Sequence, residues 1–174
     1  LLPRNDNFCC RCGQPVDATA SGSIPCGACL AKPPVITIAR APMRYEFPID
    51  VALKKIKFDR RLVFAPPLAR VLLYSLESCY SECDVLVPVP LYRWRHARRG
   101  FNQADELCKT LAKETGLPVF MATKRCRATQ SQSGLDAATR ARNDNNAFVV
   151  NKPLPYRYPL IVDDVITTGI RADH

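Results

Sequence analysis

Apolar residues along this chain follow two rhythms, a spacing of three to four residues that suits helices and short unbroken or alternating runs that suit strands. Residues 35–41 alternate and predict a strand, while Val51, Leu53 and Ile56 fall near one face of a helix over about 50–58. A second helix is expected to begin at Pro66-Pro67, since proline suits a first turn, and to run through Leu68, Val71, Leu72 and Leu76. Residues 84–90, Asp-Val-Leu-Val-Pro-Val-Pro, form a short apolar run that predicts a buried strand entering a loop. Asn102 can then cap a helix carrying Leu107, Leu111 and Ala112 at helical spacing, with Gly116 as its stop and Pro118 beyond. Strands are predicted at 118–121, 148–150 and 160–162, and the polar stretch 129–146 between them is expected to be mobile at its start. Strands alternating with helices predict an α/β fold with a mostly parallel, doubly wound sheet.

With 174 residues, 47% of them hydrophobic, the chain can build one such core and a small appendage. No apolar stretch approaches the roughly 20 residues that span a bilayer, and Leu1-Leu2-Pro3-Arg4 lacks the features of a secretory signal. A cytoplasmic, soluble protein is the expectation, although the absence of an initiating Met leaves a lost leader open. Twenty-five basic against sixteen acidic residues give a net charge of +9 and a pI near 9.3, favouring polyanionic partners such as phosphorylated metabolites or nucleic acid. The charge is concentrated, because Arg93, Arg95, Arg98 and Arg99 join His96 between Pro90 and Gly100 with no intervening acid.

Nine cysteines in a chain of this kind point to metal or free thiols rather than disulfides. Cys9-x2-Cys12 and Cys26-x2-Cys29 are two CxxC pairs separated by thirteen residues, a spacing that lets four thiolates surround one tetrahedral zinc. A register using Cys10 in place of Cys9 is a less regular alternative. Gly13 and Gly27 are expected to supply the backbone freedom of the two turns. Four thiolates complete the coordination shell, so such a zinc would be structural, clasping residues 1–34 into a module closed by Pro33-Pro34. Cys79, Cys83, Cys108 and Cys126 read as small apolar residues or incidental thiols.

The last predicted strand delivers two acids at its tip, in the string Leu160-Ile161-Val162-Asp163-Asp164-Val165-Ile166-Thr167-Thr168-Gly169. Ligands in open α/β sheets bind beyond the carboxyl ends of strands. Asp163 and Asp164 can there hold two sugar hydroxyls, directly or through hydrated Mg²⁺, while Thr167, Thr168 and Gly169 wrap a phosphate at a helix N-terminus. The plainer alternative is a pair of solvated acids capping the next helix. Neither the glycine-lysine pair of a Walker loop nor the spaced glycines of a dinucleotide fold is present.

That string resembles the phosphoribosyl-pyrophosphate motif of type I phosphoribosyltransferases, and the larger pattern resembles the ComF family of phosphoribosyltransferase-like competence proteins, GntX-like members included. Residues 84–91 continuing to Arg99-Gly100-Phe101-Asn102-Gln103-Ala104 are similar to that family's pyrophosphate-loop region. Gln132-Ser133-Gly134-Leu135 with Arg140, Asn143 and Ala147-Phe148 is similar to its flexible loop, and the CxxC pairs to its zinc ribbon. The resemblance spans Cys9 to Gly169 and implies a zinc ribbon over 1–34 and a phosphoribosyltransferase-like domain over 35–174. Two departures stand out: Ile170-Arg171 replace a small residue and Thr, and the chain stops at Asp173-His174, where the family continues with a helix and at least one more strand, so either a fragment or an apparently C-terminally shortened sheet is expected.

What the resemblance implies is Mg²⁺-bound phosphoribosyl pyrophosphate as substrate and displacement of pyrophosphate by a nitrogen nucleophile. Asp163 and Asp164 would act on the ribose, Val165, Ile166, Thr167, Thr168 and Gly169 would hold its phosphate, and Leu91, Tyr92, Arg93, Arg98 and Arg99 would form a basic loop around pyrophosphate. Gln132, Arg140 and Asn143 would belong to a closing segment, although Arg140 and Asn143 read equally well as helix-surface residues. Three classes of function stay open: an active phosphoribosyltransferase, a non-catalytic competence adaptor that keeps the pocket, and a single-stranded DNA binder using the zinc module and the arginines. The family also implies DNA uptake and partners within the competence machinery.

Overall fold

The computed structural model describes residues 2–16, 24–76, 80–126 and 147–166. Its helices are α1 (Gly27–Ala31), α2 (Ile49–Asp59), α3 (Ala65–Leu76), α4 (Arg93–Arg99) and α5 (Gln103–Thr115), and its strands are β1 (Val85–Pro88), β2 (Thr123–Arg125), β3 (Phe148–Val150) and β4 (Pro159–Val162). The result is a mixed α/β fold with a cysteine cluster at its N-terminal end.

Every residue of β1 is buried, as its unbroken apolar run requires. It pairs in parallel with β4, Leu86 opposite Leu160. On the other side of β1 the chain at 118–120 runs alongside, Leu86 N–H donating to Pro118 O and Phe120 N–H to Leu86 O at 2.8 and 2.9 Å. This contact amounts to a single parallel bridge, Leu86 to Val119, so the strand predicted at 118–121 does not form there. The chain makes its ladder further on, where β2 pairs antiparallel with β3. The parallel sheet is therefore small, and Asp84 sets its register by accepting from the N–H groups of Arg157 and Tyr158 at 2.7 and 3.0 Å.

Alternation along β1 separates two apolar clusters. Leu86 faces Ile56 of α2, Ala65 and Ala69 of α3, Leu107 and Leu111 of α5 and Val162 of β4. Val85 and Val87 meet Ala122, Phe120, Leu154 and Tyr156 on the opposite face. Helix α5 starts where the Asn102 side chain accepts from Ala104 N–H at 3.3 Å, and it ends on Gly116 at φ 76°, a left-handed conformation that a Cβ disfavours. Helix α3 carries its two prolines in the first turn.

Two expectations fail locally. No ladder forms over 35–41: Pro33, Pro34 and Pro42 lack donors, and Val35 and Ile38 lie on the surface. This segment instead follows the cysteine turns, with Ala39 N–H donating to Cys10 O at 2.6 Å and Arg11 Nη1 to Ile36 O at 3.3 Å. The arginine-rich stretch is also a helix, α4, and not a loop, because arginine is a good helix former and no glycine or proline interrupts residues 91–99. It stops at Gly100, φ 83°.

Candidate functional site

The Sγ atoms of Cys9, Cys12, Cys26 and Cys29 all lie within 4.8 Å of one another, with Cys12 and Cys26 3.9 Å apart. Sulfurs at the corners of a tetrahedron around zinc, ~2.3 Å from the metal, would be separated by roughly 3.8 Å. The donor set and its spacing thus fit a metal such as zinc. Cys9, not Cys10, is the member: Cys10 lies outside the cluster, its N–H directed to Ile24 O.

Local geometry prepares one sulfur for metal. Burial works to raise the Cys9 thiol, but backbone N–H groups of Cys26, Arg11 and Cys12 stabilise its thiolate and bring it down to about 6. Cys12 is pushed up to about 11 by burial, and burial followed by the neighbouring thiols pushes Cys29 higher still. A dication at the centre of the cluster would favour the thiolate form of its ligands. The first turn needs Gly13, which has φ 72°, whereas Gly27 begins α1 without a positive φ, so the freedom expected of Gly27 is not used.

The second cluster forms at the carboxyl edge of the parallel pair. Because β1 and β4 run in the same direction, the chain leaving β1 toward α4 and the acids leaving β4 emerge together. Val89 N–H donates to Val162 O at 2.9 Å, and the buried Asn102 amide donates to Val89 O at 2.9 Å, fixing this exit from β1. Asn102 also donates to Asp105, whose carboxyl burial raises and this bond partly lowers.

Asp163 Oδ1 accepts from Asp164 N–H at 2.8 Å. The Asp164 carboxylate forms an ion pair with Lys57 of α2, and Arg99 lies close enough to feel its charge. Burial lowers the Arg99 guanidinium, and the Asp164 charge opposes that shift. Arg93 and Arg98 are exposed, and Arg98 stacks over Trp94 at 5.7 Å from the ring centroid. Leu91 and Tyr92 are half-buried where the chain enters α4. Val165 and Ile166 follow the acids, while Thr167, Thr168 and Gly169, together with Gln132, Arg140 and Asn143, lie outside the described residues.

Lys57 was not singled out by the sequence. Its signal lies in position: Leu53 is buried and Lys57 is four residues on, so its stem shares the core-facing side of α2 while its ammonium reaches the rim.

A cleft of about 340 Å³ opens between the cysteine turn, the segment 40–46, helices α2 and α3, and residues 163–166. A Cβ placed on Gly13 would approach Ala41 Cβ to 3.2 Å and Ile166 Cδ1 to 3.7 Å, so the metal turn packs closely against the exit from β4. Among the described residues, no helix is long and apolar enough to cross a membrane.

No family model and no solved structure matches the chain significantly. It is similar to DNA utilization protein YhgH of Salmonella typhimurium, 40% identical over 169 residues covering 94% of this chain and 73% of that protein. The Escherichia coli K12 protein of the same name is 40% identical over 172 residues, covering 93% and 73%. Competence protein F of Haemophilus influenzae is 33% identical over 171 residues, again covering 93% and 73%. With identity of this degree over more than nine-tenths of its length, the chain belongs to the ComF family.

Proposed function

We propose that the chain binds Mg²⁺-bound phosphoribosyl pyrophosphate at the carboxyl edge of β1 and β4, within a phosphoribosyltransferase-type domain spanning 35–174, and that residues 1–34 form a zinc ribbon. The observation that carries this reading is the convergence of Asp163 and Asp164 with Arg99 at the exits of two parallel strands. Acids beside a cation suit a ligand that has a diol at one end and a pyrophosphate at the other. Asp163 and Asp164 would hold the ribose hydroxyls, and Val165 to Gly169 the 5′-phosphate. Arg99 would face pyrophosphate from the end of α4, with Arg93 and Arg98 adding charge and Leu91 and Tyr92 supplying backbone donors.

Turnover at such a site breaks the C1–O bond with its electron pair leaving on pyrophosphate, while a nitrogen lone pair forms the new C–N bond and that nitrogen releases its proton. Arginines that steady the leaving charge contribute more to this reaction than a strong base does. The names of the relatives, DNA utilization protein and competence protein F, support a role in DNA uptake alongside competence proteins, and we place that role in the cytoplasm. Calorimetric titration with phosphoribosyl pyrophosphate and Mg²⁺ tests the pocket. Saturable binding is expected, abolished in a folded Asp163→Asn, Asp164→Asn double variant; a folded wild-type protein that binds nothing refutes the reading. Pyrophosphate release across candidate amines and bases then separates an enzyme from a non-catalytic adaptor.

A second reading is favoured by one specific feature. Trp94 is 59% exposed on a helix bearing four arginines, the pairing of stacking surface and positive charge that binds single strands. If single-stranded DNA alone binds, with a steep loss of affinity as salt rises and sensitivity to Trp94→Ala, this reading replaces the first.

A further inference from the structure

We infer that the exposed corner at residues 58–63 and helix α4 together form a docking surface for a short acidic peptide segment that carries apolar side chains and belongs to a partner protein.

All six residues from Phe58 to Val63 are exposed, and helix α4 buries none of its seven. A helix this short does not hold itself in water, and most helical stability in folded chains comes from a packed face, which α4 lacks. The two elements touch, because the Arg60 guanidinium donates from Nη2 to Arg98 O at 3.1 Å. Arg60 does so from a left-handed backbone position, φ 54°, where glycine would be the ordinary stop for α2. An arginine there forgoes the easier backbone and places a cation at the junction of α2 and α4.

Charge and apolar surface define the occupant. Within residues 58–63 and 91–100, Arg60, Arg61, Arg93, Arg95, Arg98 and Arg99 stand against a single acid, Asp59. The complementary partner is anionic. In the same two stretches Phe58 is 74% exposed, Val63 73% and Trp94 59%, and large apolar side chains left open beside charge mark an interaction surface. A nucleic-acid strand would use the arginines and could stack on Trp94, but Leu62 and Val63 have no π face to offer a base. Acidic side chains interspersed with apolar ones engage both kinds of surface, which favours a peptide. This docking surface stands without the sugar-phosphate reading, since Phe58, Arg60, Arg61 and Val63 have no part in that site.

The test uses the full, zinc-loaded chain and follows, by fluorescence anisotropy, a short labelled peptide in which Asp and Glu alternate with Leu and Phe. Saturable binding that weakens as salt rises is expected. Val63→Asp and Arg61→Glu, both on the exposed corner, should each weaken it about tenfold. Arg60→Gly removes a cation from a backbone position that glycine suits, so it should fold at least as well as the wild type and still bind several times more weakly. Thermal unfolding reports on folding, and Arg60→Gly carries the test if a corner variant does not fold. The inference is overturned if the peptide does not saturate the folded wild type, if a peptide with serine in place of Leu and Phe binds as tightly, or if binding ignores the folded variants. It is equally overturned if oligothymidine displaces the peptide and itself loses affinity in Val63→Asp, because the corner then belongs to nucleic acid.

Discussion

Replacing Cys9 with alanine removes one of four sulfurs held within 4.8 Å of one another, and with it the thiol that backbone donors hold down at about 6. Apparent binding energies for structural zinc are ~10–16 kcal/mol near neutral pH, so an equal share per thiolate is roughly 3 kcal/mol, a loss of about two orders of magnitude in affinity. Cys10→Ala, one residue away, should retain full affinity, because Cys10 lies outside the cluster. Metal per chain by elemental analysis, followed by chelator competition at pH 7, measures both variants. The Cys9 variant should lose its metal to a chelator that leaves the wild type and Cys10→Ala loaded. A Cys9 variant that holds zinc as tightly as the wild type would refute the assignment, as would loss of zinc from Cys10→Ala.

Three other outcomes follow from the same geometry. Leu86→Ala empties a fully buried site between β1 and the helices and should cost ~2–5 kcal/mol, read as a lowered urea midpoint; a shift under about 1 kcal/mol would mean that Leu86 is not at the centre of the core. Lys57→Met removes the ammonium that pairs with Asp164, so Mg²⁺ and phosphoribosyl pyrophosphate should bind up to about fivefold more tightly by titration; weaker binding would show that Lys57 holds the ligand and does not compete with it. Burial pushes the Cys108 thiol up to about 12 from an ordinary value of 9.0, so its neutral form contributes full stability below pH 9 and that contribution declines as pH rises toward 12, by about 1.4 kcal/mol per unit. Thermal unfolding should fall less steeply between pH 9 and 10 in Cys108→Ala, and an unchanged slope would place the alkaline sensitivity elsewhere.

The elements that could be read from the sequence are those whose signals are local. Residues 85–88 are apolar throughout and became a strand buried on both faces, and Asn102 and Gly116 bracket α5 at the positions their chemistry predicts. The two CxxC pairs meet because their spacing is itself the geometric requirement. Misreadings arose where the outcome depended on a distant partner or where motif outweighed propensity. The alternating stretch 35–41 had no neighbour with which to form a ladder, and β2 was decided by pairing with β3 across more than twenty residues of chain. Arg93–Arg99 was read through the loop of a resembling family, although its arginines and the stop at Gly100 already favoured a helical turn. At the candidate site, Asp163 and Asp164 were visible as acids on a strand tip, but Lys57 enters only through the packing of α2 against that tip.

That packing also bears on what the metal turn does. A clasp that only kept thirty residues folded would leave the strand ends indifferent to it. Gly13 is buried directly after Cys12, and the space where its Cβ would stand is bounded by Ala41 on one side and Ile166 on the other. Ile166 is two residues beyond Asp164, so the cysteine turn and the acidic tip share one contact surface. Asn5 extends the same surface by bonding to the carbonyls of both Gly13 and Ala41. The turn that follows Cys12 and the chain that follows the acids at the end of β4 thus meet at Gly13 and Ile166 and share one packed surface.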